Sequence, residues 1–236
     1  TCALPISGEA ACWDMHGLNR LGGNSLAETI VAGRIVGQKV SDFLEGYEVD
    51  FKTTVIGDAV KKEQERIEAV IRGRDGRENV YEVRVAMQDA LMEGVGIFRN
   101  GEDLRKAVEK LQAIAERSEK VGLRSSGIGA NPELALALRI KGMVRLALCV
   151  AYAAEQRTES RGCHSREDFK ERNDRDWLKR TLATWKEGDT LPTLNYEPNS
   201  KVWEIPPGER GYGSCQIICC EDPDVMGCGP TPPATN

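Results

Sequence analysis

The sequence predicts a mainly α-helical chain: an antiparallel helical bundle that gives way to an irregular C-terminal region. Three observations carry that prediction. Apolar residues recur at spacings of three and four through most of 26–157. Helix start and stop signals punctuate the same stretch, among them Asn131-Pro132 and the Gly73–Gly76 turn. From Ser160 onward the periodicity fades, and the "EIPPGERGYG" stretch reads as extended or turn-like.

Taken in order, Ser25-Leu26-Ala27-Glu28 matches a capping box, in which a serine side chain covers one free amide and a glutamate three positions on reaches back. The helix it would open carries Leu26, Ile30, Val31, Val36, Val40, Phe43 and Leu44 and should end near Gly46. Ala27, Ala32, Gly33 and Gly37 are small enough to allow close packing on another element. Residues 58–72 predict a charged amphipathic helix with Val60, Ile67, Val70 and Ile71 inward.

Residues 79–95 predict a helix with Val83, Met87, Leu91 and Val95 on one stripe, and 102–121 another with Leu104, Val108, Leu111 and Ile114 or Ala115 inward. After the break "GLRSSGIGA", Asn131-Pro132 caps and starts a long helix to about Arg157. That helix is apolar nearly all round, so the expectation is that it is the most buried, with Leu91, Leu111 and Leu138 in one core or adjacent layers. The expected divisions are 1–47, 48–158 and 159–236.

A chain of 236 residues can bury one good-sized core or two small ones. Its 40% hydrophobic and 29% charged content is ordinary for a globular protein. A net charge of −5 argues against non-specific nucleic-acid binding. The longest apolar run, "MVRLALCVAYAA" (143–154), is too short to span a bilayer and carries Arg145. Thr1 to Ile6 coincide with the translated end of a common sequencing adapter, so the natural chain is expected to begin upstream. The alternative is a genuine short strand, Ala3 to Ile6, broken by Pro5.

Cys2, Cys12, Cys149 and Cys163 are scattered, which suits reduced thiols better than a disulfide framework. Cys215, Cys219, Cys220 and Cys228 cluster with C-x3-CC-x7-C spacing and no nearby histidine. A metal site would need four thiolates converging tetrahedrally. The expectation is free or opportunistically oxidised thiols rather than a metal site.

The candidate chemistry lies in "HGLNRLGGNSLAE" (16–28). A helix N-terminus presents free amides and partial positive charge, and so favours an anion or an electron-rich carbonyl. Gly22-Gly23 lets a backbone approach a ligand closely. Arg20, just ahead of that turn, has the planar fork that clamps a carboxylate. The residues alone leave open a plainer reading, a glycine turn capping a helix with Arg20 paired to a surface acid.

"GEAACWDMHGLNRLGGNSLAE" (8–28) resembles the FAD-binding signature of the flavoprotein subunits of succinate dehydrogenase and fumarate reductase. "VGIFRNGEDL" (95–104) fits the same family, as does "AYAAEQRTESRGCHSREDFKERNDRDWLKRTLATW" (151–185), which looks like its C-terminal helical region. The blocks come in the family's order, and the resemblance covers nearly all of 8–213.

It implies that the chain begins with the last strand-turn-helix of an α/β FAD-binding domain. It further implies that Glu9 binds the FAD ribose region and that the amides of Ser25 and Leu26 face the flavin pyrimidine. Arg20 would clamp a carboxylate of fumarate or succinate, and His16 is a weaker substrate-binding candidate that could instead orient the loop. An iron–sulfur subunit and a membrane quinone-binding subunit are the implied partners, with this chain peripheral on the cytoplasmic face of the inner membrane. The family's Gly-rich dinucleotide loop and capping domain have no counterpart in these residues, so one wall of an active site is expected.

L-aspartate oxidases share the fold and a similar arginine motif but usually lack the long "REDFKERNDRDWLKRTL" match. A helical docking module without redox chemistry is the rival from another class. In "SRGCHSREDF" (160–169), Arg161, His164, Arg166, Glu167 and Asp168 read either as a contact for the iron–sulfur partner or as a polar network tying the helical domain to the flavin domain.

Overall fold

The computed structural model describes residues 16, 20, 22–47, 53–73, 75–125, 127, 129–186 and 188–198. Helix α1 (Asn24–Leu44) and helix α2 (Thr53–Arg72) come first. The core follows: α3 (Val80–Val95), α4 (Gly101–Ser118) and α5 (Pro132–Gln156). Asparagine starts each of these three. The side chains of Asn79, Asn100 and Asn131 accept hydrogen bonds from the amides of Tyr81, Asp103 and Leu134, covering donors the first turn leaves free.

Two pairs of very short strands fix the directions of the three core helices. β1 (Glu78–Asn79), just before α3, pairs in parallel with β3 (Val121–Gly122), just after α4. β2 (Phe98–Arg99), just after α3, pairs in parallel with β4 (Ser165–Arg166), beyond the end of α5. Consecutive helices must therefore run in opposite directions. The buried stripe contains Val80, Val83 and Met87 of α3, Leu104, Val108 and Leu111 of α4, and Ile140, Val144 and Leu148 of α5. Each such side chain contributes about 1.5–3 kcal/mol by leaving water. At the α3–α4 hairpin the backbones touch. A Cβ on Gly94 would stand 2.6 Å from Ala107 Cβ and 2.7 Å from the Asp103 carbonyl oxygen, so only glycine fits there.

Several expectations are corrected. Ser25 is not the N-cap of α1; Gly23 is, at φ +81°, with no side-chain cap, and Glu28 reaches His16 rather than a free amide. The left-handed glycine starts the helix two positions early. No residue of α1 is buried, and a Cβ at Gly33 or Gly37 would meet nothing within 4 Å. The close packing expected of the small residues is thus not formed among the described residues. Helix α2 begins earlier than predicted, and Val60 is exposed while Ile67, Val70 and Ile71 are half-buried.

Helix α5 is not wrapped on all sides, since Leu146 and Val150 face outward. Its buried stripe runs through Ala137 and Ile140 to Val144 and Leu148, which leaves Leu138 only half-buried, as is Leu91 on α3. Within the block 151–185, helix is confined to two short stretches. Helix α5 stops at Gln156, a single turn α6 (Asp174–Trp177) follows, and β5 (Lys179–Thr184) pairs antiparallel with β6 (Thr193–Pro198). Cross-strand pairing explains the hairpin: Arg180 bridges Glu197, Trp177 meets Tyr196 edge-on at 5.5 Å, and Lys179 Nζ lies over both rings.

Candidate functional site

The glycine turn and the first turn of α1 bring together the N-terminal candidates. Arg20 is exposed. The first backbone bond of the helix runs from the Leu26 amide to the Gly23 carbonyl at 3.1 Å, so the amides of Asn24 and Ser25 lie ahead of it. Among the described residues, a Cβ added at Gly22 or Gly23 would meet nothing within 4 Å, so the space over the turn is open to them. Leu26 is 72% exposed and Ser25 half-buried, with the Ser25 carbonyl accepting from the Thr29 hydroxyl at 2.7 Å. His16 is half-buried, and its Nε2 stands 2.5 Å from Glu28 Oε2. An uncapped helix start with an open glycine turn beside it and an arginine just upstream suits a group carrying negative or carbonyl oxygen at its edge. These residues therefore fit one edge of a flavin. Glu9 and the cysteines Cys215, Cys219, Cys220 and Cys228 lie outside the described residues. Among the described residues, no group of three His, Cys, Asp or Glu side chains could hold a metal ion.

Residues 157–174 form a second polar centre at the end of the bundle where α3 and α5 stop. Arg99 caps α3, its Nε donating to the carbonyls of Gly96 at 2.9 Å and Val95 at 3.2 Å. Its Nη1 stands 2.8 Å from His164 Nδ1, and His164 Nε2 faces the Arg157 carbonyl at 3.3 Å. A neutral His164 with its proton on Nε2 satisfies both contacts. Burial pushes the imidazole down to about 4, and the neighbouring cations Arg99, Arg157 and Arg166 push the same way.

Arg166 caps α5, its Nη1 donating to the carbonyls of Ala154, Glu155 and Arg157 at 2.9–3.1 Å. Its other edge grips Asp168 at 2.7 and 2.8 Å, and Asp168 Oδ2 in turn accepts from the Gly101 amide at the start of α4. The Arg166 hydrogen bonds hold the Asp168 carboxyl down at about 2. Fully buried Glu159 accepts from Arg157, Arg161 and the Asn173 amide.

This network answers part of the question raised by "SRGCHSREDF". Arg166, His164 and Asp168 bind the loop to the ends of α3, α4 and α5, within the helical region itself. Glu167 is exposed, and its amide donates to the Arg99 carbonyl at 2.7 Å. Sequence reasoning did not single out Arg99, Arg157 or Glu159 as part of this centre. A charged residue with no helical periodicity to place it gives no sign of burial until its partners are known.

Comparison with known proteins follows this geometry. Residues 84–212 match the family described as "Fumarate reductase flavoprotein C-term". The chain belongs to that family. It is 41% identical over 212 residues to the fumarate reductase flavoprotein subunit of Helicobacter pylori, covering 89% of this chain and 30% of that one. It is 32% identical over 211 residues to the succinate dehydrogenase flavoprotein subunit of Rickettsia bellii, covering 87% and 35%. The fold superposes on an Escherichia coli quinol fumarate reductase structure with a TM-score of 0.73 at 34% identity, covering 84% of this chain and 34% of that one. The chain thus spans about a third of the length of the relatives it matches. Among the described residues, no helix is long and apolar enough to cross a membrane.

Proposed function

We propose that the chain is part of a flavoprotein subunit that interconverts fumarate and succinate by hydride transfer with FAD. Electrons would be exchanged with an iron–sulfur subunit and a membrane quinone-binding subunit, the flavoprotein lying peripherally on the cytoplasmic face of the membrane. The observation that carries this reading is Arg20 immediately ahead of the open Gly22-Gly23 turn, where α1 begins without a side-chain cap. FAD supplies the hydride acceptor and donor when bound. On this reading Ser25 offers its free backbone amide to its edge, Leu26, whose amide also donates to the Gly23 carbonyl, lies beside it, and Glu9 holds its ribose region. Arg20 binds one carboxylate of the substrate through two parallel, charge-assisted hydrogen bonds and fixes it over the ring.

The test is made in the complete subunit within its complex. Arg20→Lys keeps the charge but loses the fork, and Arg20→Ala loses both. A charge-assisted contact of about 1.5–3 kcal/mol corresponds to a loss of roughly 10- to 150-fold in affinity. Fumarate reduction with an artificial donor should fall strongly for Lys and further for Ala, with flavin absorbance per subunit unchanged. Flavin lost in proportion to activity would make Arg20 a cofactor or structural residue and end the substrate-clamp assignment. Oxygen-consuming turnover of L-aspartate without an iron–sulfur partner would replace this reading with an L-aspartate oxidase.

A further inference from the structure

We propose that Glu28 is a positioning residue for the substrate arginine: its contact with His16 ties the chain ahead of Arg20 to the first turn of α1. The inference rests on the reading of Arg20 given above and adds a residue to that same site. Its observation is the contact between His16 Nε2 and Glu28 Oε2 at 2.5 Å, with the two side chains 23% and 16% exposed. The pair joins positions 12 apart in sequence and brackets both Arg20 and the Gly22-Gly23 turn. Among the described residues, the helix-start bonds to the Gly23 carbonyl are what else holds the turn. Gly23 sits at φ +81° with no side-chain cap, and a Cβ at either glycine would touch nothing within 4 Å. Two adjacent glycines are the least restrained of all backbone positions.

The contact joins the two ends of this segment. Glu28 sits one turn into a regular helix, so its carboxylate is a fixed point. His16 is the first described residue of the loop. Holding His16 against Glu28 narrows the conformations open to residue 20 before substrate arrives, so less ordering is needed on binding. It also explains why Glu28 does not complete a capping box: its carboxylate is committed to the loop rather than to a free amide. The Thr29 hydroxyl donates to the Ser25 carbonyl one turn back.

The experiment uses the complete flavoprotein complex with Glu28→Ala, His16→Ala, the double variant, and Glu28→Gln. Fumarate reduction and displacement by malonate are measured beside flavin content and melting temperature. Each single alanine variant should lower kcat/KM for fumarate on the order of tenfold to a hundredfold, expressed mainly as a raised KM and weaker malonate inhibition, with flavin content unchanged. The double variant should be no worse than either single, because both remove one contact. Glu28→Gln keeps an oxygen that accepts from an Nε2–H and should recover most of the loss. If an alanine variant does not hold FAD, Glu28→Leu and His16→Phe, which keep bulk but lose the contact, carry the test through the KM readout.

Two results overturn this role: unchanged KM and malonate inhibition in the single variants, or strictly additive losses in the double. Loss at Arg20 with no loss at Glu28 or His16 would fail this inference alone. No kinetic effect at Arg20 would fail the functional reading beneath it.

Discussion

Replacing Arg166 by leucine should be among the most damaging single substitutions in this region, and the structure sets the size of the effect. The side chain is 3% exposed and holds two sets of partners. On one side are the α5 carbonyls of Ala154 and Glu155 and the carbonyl of Arg157; on the other is Asp168, itself 36% exposed. Leucine strands the buried carbonyls and leaves Asp168 without its cation, a loss of about 3–5 kcal/mol. Lysine keeps a charge but cannot serve both sets at once, and should cost about 1.5–3 kcal/mol. Asp168→Asn touches only the solvent-screened side and keeps an acceptor for the Gly101 amide, so it should cost at most about 1 kcal/mol. Urea denaturation of all three variants, followed by far-UV circular dichroism, gives the ordering directly. An Arg166→Leu value within about 0.5 kcal/mol of the parent, or Asp168→Asn as costly as Arg166→Leu, would show that the buried carbonyl cap is not what the arginine supplies.

Two further outcomes follow from the same geometry. His164 is held neutral, its value depressed to about 4 against an ordinary 6.5. The unfolded chain therefore binds the extra proton first, so the stability this residue confers is present above about pH 6.5 and lost as pH falls toward 4. That gap amounts to about 3 kcal/mol, and His164→Gln should remove this component from a stability profile measured by urea denaturation between pH 7 and 4. A profile of unchanged slope in the glutamine variant would refute it. In the helical core, Leu111→Ala should cost about 2–5 kcal/mol. Half-buried Leu138→Ala should cost about 1–2 kcal/mol, and equal denaturation midpoints for the two would mean the face of α5 is misassigned.

The bundle was legible because its elements carry local signals. Heptad-like apolar stripes place α3 and α4, and Asn131-Pro132 places the start of α5 within a residue. Asn79 and Asn100 were equally readable as caps, though neither lies before a proline to call attention to it. What did not show were features that depend on distant partners. In the β5–β6 hairpin only Lys179, Thr181 and Leu194 are half-buried, and two of those three are polar, so β5 carries little of the apolar alternation that marks a strand. Gly23 took the cap from Ser25 because a left-handed glycine competes with a serine and nothing local decides between them. At the candidate site, the Arg20 and glycine-turn pattern was readable from ligand chemistry. The tie from His16 to Glu28 was not, since it crosses 12 positions and displaces a local motif that the same glutamate would have satisfied.

The bond from Asp168 to the Gly101 amide spans 67 positions and can close only after α4 and α5 lie side by side. Contacts of that kind are absent from an early folding nucleus and belong to the last stage of assembly. Their energy then resists the first step of opening and does little to hasten folding. Loss of the Arg166 contacts that hold Asp168 in place, about 3 kcal/mol, should appear as unfolding roughly a hundredfold faster, with refolding little changed. The loop from Arg157 to Asp174 thus sets the lifetime of the folded bundle, and the time it is safe from a protease, more than the speed with which the bundle forms.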